Sequence, residues 1–335
     1  MKVTVVFGGQ FGSEGKGLMA AYLAKTRKFD LATTDAGPNA GHTAIVGDRE
    51  IMTRHLPMAG LLTHGCTMWL NGGSIIHPQT LIDEINEMEE KKGLSVRNRL
   101  VIHPHAAVIE DCDLEEEKLA SGPMHKISST QKGVGAAARR KMGRGARTAK
   151  DIPELVRYCG YVHPTQYHNV CVEVAQGYSL SINSGFYPYT TFRCCSPAQG
   201  LMNASIPTTM PHEIIGIIRV NPIRVGSLPG ASSGDCFKDQ KETTWEALGQ
   251  PVQYTSVTKR VRRVFTYSEI QIEKMIRETA PTTILINFAQ TADPDRLGSM
   301  TRHIFETYAT YNMPQPVVIY GYGPRAEDIS MEIKE

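Results

Sequence analysis

Val3-Thr4-Val5-Val6-Phe7-Gly8-Gly9-Gln10-Phe11-Gly12-Ser13-Glu14-Gly15-Lys16-Gly17 is the stretch whose reading decides the fold. Its first five residues are mainly apolar and β-branched, as in a strand buried on both faces of a parallel sheet. The glycines after it form a loop whose backbone N–H groups can face a phosphate. The helical pattern over residues 18–25 then turns its positive end toward the same anion. The loop is not a Walker A motif. Counting back from Gly15-Lys16 puts Gln10 where the first glycine belongs, and Gly17 stands where Ser or Thr is required. Its weight comes from the order: buried strand, glycines, lysine, helix.

Working outward, strand-like runs recur at residues 67–70, 100–102, 169–174, 214–220, 283–288 and 316–319, with helical patterns at 78–92 and 268–279. This alternation predicts an α/β fold: one large domain over residues 1–335 around a mostly parallel central sheet, with inserted loops. Residues 128–147 differ, holding Lys132, Arg139, Arg140, Lys141, Arg144 and Arg147 among glycines and alanines. Two readings stand, a solvated basic loop and a mobile anion-binding loop.

Lys plus Arg number 36 against 34 Asp plus Glu, a net charge of +2. That balance excludes a surface adapted to nucleic acid, so basic clusters are local and ligand-directed. Seven cysteines, none in a C-x-x-C pair, point to a reduced, cytoplasmic setting. No run approaches the ~18 consecutive apolar residues of a membrane span.

Together with Asn39-Ala40-Gly41-His42-Thr43, the opening loop closely resembles the start of adenylosuccinate synthetases. The resemblance continues in order. It runs through Asn71-Gly72-Gly73, Ser129-Thr130-Gln131-Lys132-Gly133, Glu173-Val174-Ala175-Gln176-Gly177, Gly185-Phe186-Tyr187-Pro188-Tyr189-Thr190-Thr191 and Val257-Thr258-Lys259-Arg260-Val261-Arg262-Arg263. It closes with Gly321-Tyr322-Gly323-Pro324. The resemblance implies a P-loop-NTPase-like fold, a purine nucleotide substrate, L-aspartate, a nucleoside triphosphate and Mg²⁺. It also implies a homodimer in which Arg144 reaches the neighbouring site.

Residue by residue, it implies that Gly12, Ser13, Glu14, Gly15, Lys16, Gly17, Gly41, His42, Thr43 and Arg262 surround the donor phosphates. Asn287, Gln290, Gly323 and Pro324 would flank the donor base. Ser13, Asn39, Thr130, Arg144, Gln176, Thr191 and Arg260 would hold the nucleotide monophosphate. Val257, Thr258, Arg260 and Arg262, with Arg263 beside them, would hold aspartate. Ser13 and the Gly41 carbonyl would face Mg²⁺, and Ser13, Lys16, His42 and Gln176 would take part in the chemistry. A protonated imidazole beside a transferring phosphoryl group offsets developing charge, which suits His42. Arginine forks suit phosphates and carboxylates.

Two departures from the family pattern point the same way. The family carries an aspartate, the base for purine N1, in the place of Ser13; a small hydroxyl leaves room for a 2-amino group. The family's bacterial members read guanine of GTP through Thr-Lys-x-Asp, but here the strand 283–286 leads into Asn287-Phe288-Ala289-Gln290, with no lysine or carboxylate, so an adenine donor is expected, unless Asp293 supplies the missing carboxylate. The combination resembles the phage branch of the family, and implies ligation of L-aspartate to dGMP with ATP or dATP through a 6-phosphoryl intermediate. The alternatives are synthesis of adenylosuccinate from IMP with GTP, and a catalytically silent nucleotide-binding regulator.

Overall fold

A computed structural model describes residues 1–210, 212–255 and 258–334. Its centre is a nine-stranded sheet of β1 (Lys2–Gly8), β2 (Leu31–Thr34), β3 (Thr67–Leu70), β4 (Leu100–Ile102), β5 (Asn169–Gly177), β6 (His212–Arg219), β7 (Thr283–Asn287), β8 (Val317–Gly321) and β9 (Ile329–Ser330). The spatial order is β9-β8-β7-β6-β1-β5-β2-β3-β4. Neighbours run parallel except β9, which is antiparallel to β8.

Side-chain alternation along the strands explains why both faces are apolar. Val3, Val5 and Phe7 of β1 join one buried cluster with Ile284 and Ile286 of β7. Val6 and Leu285 join the cluster on the opposite face. Helices α1 (Lys16–Thr26), α2 (Pro78–Asn86), α3 (Val134–Met142), α4 (Glu269–Thr279) and α5 (Pro294–Thr310) connect or cover these strands. Ser268 caps α4 by accepting from Gln271 N, as its sequence signature predicts. The helical pattern at 78–92 is α2 followed by a π-helical turn, Glu87–Lys91.

Three features differ from the sequence reading. Strand β2 escaped notice because Leu31-Ala32-Thr33-Thr34 is short and only half apolar. Helix α5 also escaped: Asp293 caps it by accepting from Arg296 N, and Pro294 occupies its first turn. Asp293 therefore serves the backbone rather than a donor base. Residues 128–147 are not a loop throughout, because α3 occupies their middle. Arg139 pairs with Glu116, Arg140 with Asp113 and Glu110, and Lys141 donates to the Gly72 carbonyl, so much of that basic charge is spent inside the chain.

Strand β1 lies between β5 and β6, where the chain's progress across the sheet reverses. In open parallel sheets ligands bind at such a reversal, beyond the carboxyl ends of the strands.

Candidate active site

A cleft of about 1000 Å³ opens at that place. Its floor is the loop between β1 and α1. Gly12 and Gly15 have φ of 92° and 108°, a conformation that strains other residues. A side chain at Gly15 would also strike the Asn287 amide, and one at Gly17 would strike the backbone of Thr43. The glycines thus let α1 begin hard against the neighbouring strand and leave its amino end facing the cleft. Ser13, exposed and also left-handed (φ 60°), lies on the cleft wall.

Glu14 does not reach the cleft. It is wholly buried beneath the loop, accepts from Gln10 N and Gly12 N at 3.0 and 2.7 Å, and lies 3.5 Å from Lys16. Its expected contact with the donor is replaced by shaping the loop that would make one. Lys16 Nζ donates to the Gln176 carbonyl at 2.6 Å, tying the loop to the end of β5.

His42 begins a hairpin strand (His42–Val46) and borders the cleft. Behind it stands Glu173 of β5, which sequence reasoning quoted but gave no role. Glu173 is wholly buried, accepts from Ala59 N at 2.8 Å through Oε1, and has Oε2 without a hydrogen bond 3.8 Å from His42 Nδ1. A buried carboxylate with one free oxygen near an imidazole offsets positive charge carried there.

The cleft wall brings together Gly12, Ser13, Gly15, Lys16, Gly17, Asn39, Gly41, His42, Thr43, Thr130, Gln176, Thr191, Thr258, Arg262, Asn287, Gln290, Gly323 and Pro324. Other expected residues stand elsewhere. Arg260 lies behind the wall, donating to the Ser128 and Ser129 carbonyls, so it ties its own loop to the segment bearing Thr130. Arg263 spends its fork on Glu242 at 2.7 and 2.6 Å and does not face the cleft. Arg144 is exposed and outside this chain's cleft, donating to the Met142 carbonyl. Val257 lies outside the described residues. Asn287 reaches the wall, yet its amide donates to the Glu14 carbonyl and its oxygen accepts from Phe288 N. That leaves exposed Gln290 as the amide better able to read a base.

Two arginines of the wall were missed by sequence reasoning. Arg219 ends β6 and Arg224 follows it; both are buried. Arg219 donates to the carbonyls of Asn221 and Ser13 and to Gln253 Oε1, and its guanidinium lies 3.7 Å from the centre of the Phe288 ring. Arg224 donates to the Asp235 and Tyr189 carbonyls, covers Phe11 at 4.5 Å, and keeps a buried Nε without a partner. Burial, then a neighbouring arginine, pushes these guanidiniums down to about 9 and about 10, which leaves both cationic at neutral pH. The available signal was a charge closing the apolar run over residues 214–218. Cationic groups without bonded carboxylates make this cleft suited to anions.

Among the described residues no cluster of three His, Cys, Asp or Glu side chains forms a metal cage. Mg²⁺ does not need one, since it commonly takes its oxygens from phosphates, water and one or two protein groups. The Ser13 hydroxyl and Gly41 carbonyl on the wall fit that arrangement. No described helix is long and apolar enough to cross a membrane.

Comparison with known proteins agrees with this geometry. The adenylosuccinate synthetase family model matches residues 5–157 and 161–291. An N6-succino-2-amino-2'-deoxyadenylate synthase of Salmonella phage PMBT28 is 34% identical, covering 99% of this chain and 98% of its own length. Its counterpart in Vibrio phage phiVC8 is 35% identical, with 98% of each covered. Among solved structures, the succinoaminodeoxyadenylate synthetase of cyanophage S-2L, bound to dGMP and to dATP as an energy donor, superposes with a TM-score of 0.86. It is 29% identical, over 98% of this chain and 95% of that one. With the family model over most of its length and relatives matched nearly end to end, this chain belongs to the adenylosuccinate synthetase family.

Proposed function

We propose that this protein is a ligase that joins L-aspartate to C6 of dGMP at the expense of ATP or dATP, giving 2-amino-2'-deoxyadenylosuccinate. One observation carries the reading: on the wall of a synthetase cleft, the position that bears the family's carboxylate base is a neutral serine, Ser13. A carboxylate would crowd the 2-amino edge of guanine, whereas a hydroxyl leaves space and offers one hydrogen bond. The similarity to phage relatives named for this product supports the same substrate. We read residues 1–335 as one catalytic domain, because a single sheet draws strands from Lys2 to Ser330.

The reaction follows in two steps. The γ-phosphoryl group passes from the donor to O6 of the guanine lactam, releasing ADP or dADP, while the N1 proton is lost to solvent. The aspartate amine then attacks C6, the C6–O6 bond breaks, inorganic phosphate departs and the amine gives up a proton. Phosphorylating O6 turns a poor leaving group into a good one. His42, backed by Glu173, donates hydrogen bonds to the phosphoryl group as charge develops, and Lys16 adds a fixed cation. The Gln176 side chain addresses O6. Ser13 is too weak a base to take the N1 proton outright, so its part is to orient the base edge.

Thr130 and Thr191 hold the 5'-phosphate. Exposed Arg144 would complete that grip from a second subunit of a homodimer. Thr258 and Arg262 hold the aspartate carboxylates, and Gln290, Gly323 and Pro324 surround the donor's adenine. Mg²⁺, when bound, offsets charge on the donor phosphates, and Ser13 and the Gly41 carbonyl are the protein oxygens that would hold it. A reduced, cytoplasmic setting suits the seven cysteines, all of them free.

The test is phosphate release with aspartate, Mg²⁺ and ATP, comparing dGMP with IMP and weighing the product by mass spectrometry. Turnover of dGMP with the succino-adduct mass is expected. Turnover of IMP alone overturns the reading in favour of ordinary adenylosuccinate synthesis, and no turnover of either favours a binding protein.

A further inference from the structure

Arg219 touches more of the cleft than any single role in the reaction requires. It is 2% exposed, and its three hydrogen bonds all go to neutral acceptors: the Asn221 carbonyl at 3.1 Å, the Ser13 carbonyl at 3.1 Å and Gln253 Oε1 at 3.2 Å. Its guanidinium also lies against the Phe288 ring at 3.7 Å, at the segment leading to Gln290. Its own backbone is clamped by Gln10, whose Oε1 accepts from Arg219 N at 2.8 Å and whose Nε2 donates to the Arg219 carbonyl at 3.3 Å. Gln253 in turn accepts, through its carbonyl, from Arg262 N at 2.8 Å. That backbone bond, with the one from Arg262 Nε to the Tyr254 carbonyl at 2.9 Å, seats Arg262 on the cleft wall.

One guanidinium therefore meets three loops: the phosphate loop at Ser13, the loop from Gln253 to Arg262, and the base loop at Phe288. Each contact fixes a different edge or face of the same rigid plane, so a shift of one loop tilts the plane against the other two. A buried cation hydrogen-bonded only to neutral acceptors, with the Glu14 carboxylate near but not bonded to it, is a costly way to stabilise a fold. The arrangement makes better sense where anions arrive on both sides.

We propose that Arg219 is a positioning residue that couples the two co-substrate subsites, so that donor triphosphate and dicarboxylate each tighten the binding of the other. The inference rests on the reading above, in which the phosphate loop takes the donor and the loop bearing Thr258 and Arg262 takes aspartate. Coupling of this kind is reciprocal and commonly amounts to about 5- to 150-fold in affinity.

The experiment is calorimetric titration of the full-length protein with Mg²⁺ and the non-hydrolysable donor AMP-PNP, with and without saturating aspartate. The monophosphate selected by the phosphate-release assay is present throughout. Failure of the dGMP reading shows in that earlier assay, whereas failure of the coupling shows only here. In the unaltered protein, aspartate should tighten AMP-PNP at least about fivefold. In Arg219→Lys, whose ammonium cannot span the same acceptors, and in Gln253→Met, which cuts the link from the far side, the ratio should fall to about one.

Gln253→Met leaves the sheet untouched and decides the matter if Arg219→Lys does not fold. The proposal is overturned if aspartate leaves AMP-PNP affinity unchanged in the unaltered protein. It is equally overturned if a folded variant keeps the full ratio while binding both ligands more weakly.

Discussion

Replacing Glu173 by Gln tests the imidazole's part in the reaction with little change of shape. Glutamine keeps the oxygen that accepts from Ala59 N but trades the free carboxylate oxygen, 3.8 Å from His42 Nδ1, for a neutral amide. Two unit charges at that distance interact by about 4 kcal/mol at an effective dielectric constant of about 20. If glutamine's dipole keeps half of this, about 2 kcal/mol is lost from the transition state that places charge on the imidazole, or about 30-fold in kcat. The assay is steady-state phosphate release, with KM for dGMP, ATP and aspartate measured separately and thermal unfolding as a control. The expected pattern is a fall in kcat with dGMP KM little changed. In a His42→Asn background the same substitution should cost less than about threefold, because residues acting through one another are not additive. Glu173→Gln with kcat within about threefold of the unaltered protein would refute the argument, as would equal costs in both backgrounds.

Ser13→Asp restores the carboxylate of the family pattern at a left-handed position that aspartate tolerates; the ratio of dGMP to IMP turnover should fall at least about tenfold, and an unchanged ratio would remove Ser13 from substrate selection. His77 caps α2 through Nδ1, which accepts from Thr80 N at 3.2 Å, and burial followed by the neighbouring His55 lowers its pKa from the ordinary 6.5. The unfolded chain therefore takes up this proton first, so the contribution is present above pH 6.5 and is lost as pH falls through the lower folded value. Thermal unfolding followed from about pH 7.5 to about pH 5 should show a smaller acid-side loss in His77→Asn, which caps without titrating; identical slopes would contradict the assignment. Chelation of Mg²⁺ with excess EDTA should abolish phosphate release while leaving dGMP affinity within about threefold, measured by calorimetry, since threonines hold that phosphate.

Local pattern carried much of this architecture. Residues 67–70 and 100–102 became strands with unchanged bounds, because their apolar runs end at polar turns. Strand β2 was illegible because its place is set by β5 and β3 on either side rather than by its own four residues. In the site, the glycine loop and the neighbourhood of His42 were readable because backbone shape and residue type coincide there. Glu14 and Asn287 both turn their side chains inward to bond the loop, although Asn287 still reaches the cleft wall; sequence adjacency to a phosphate site does not give direction. Arg263 was misread because its partner, Glu242, is distant in sequence and reaches it only through antiparallel pairing of short strands. Arg219 needed the fold itself, since Ser13 and Phe288 meet it only when the ends of β1, β6 and β7 are side by side, and Gln253 reaches it from a segment outside that sheet.

The place of β1 in the sheet has a consequence for synthesis on the ribosome. It precedes the other strands of the sheet, yet both of its partners, β5 and β6, begin more than a hundred residues later. Until then the nascent chain carries an apolar strand with two open hydrogen-bonding edges, the template on which foreign strands add. Closing such distant pairings is slow, because the entropy of the intervening chain is lost before the contacts form. The protein should thus draw on chaperones that shield β1 during translation, and its yield should depend on how quickly residues 169–219 follow.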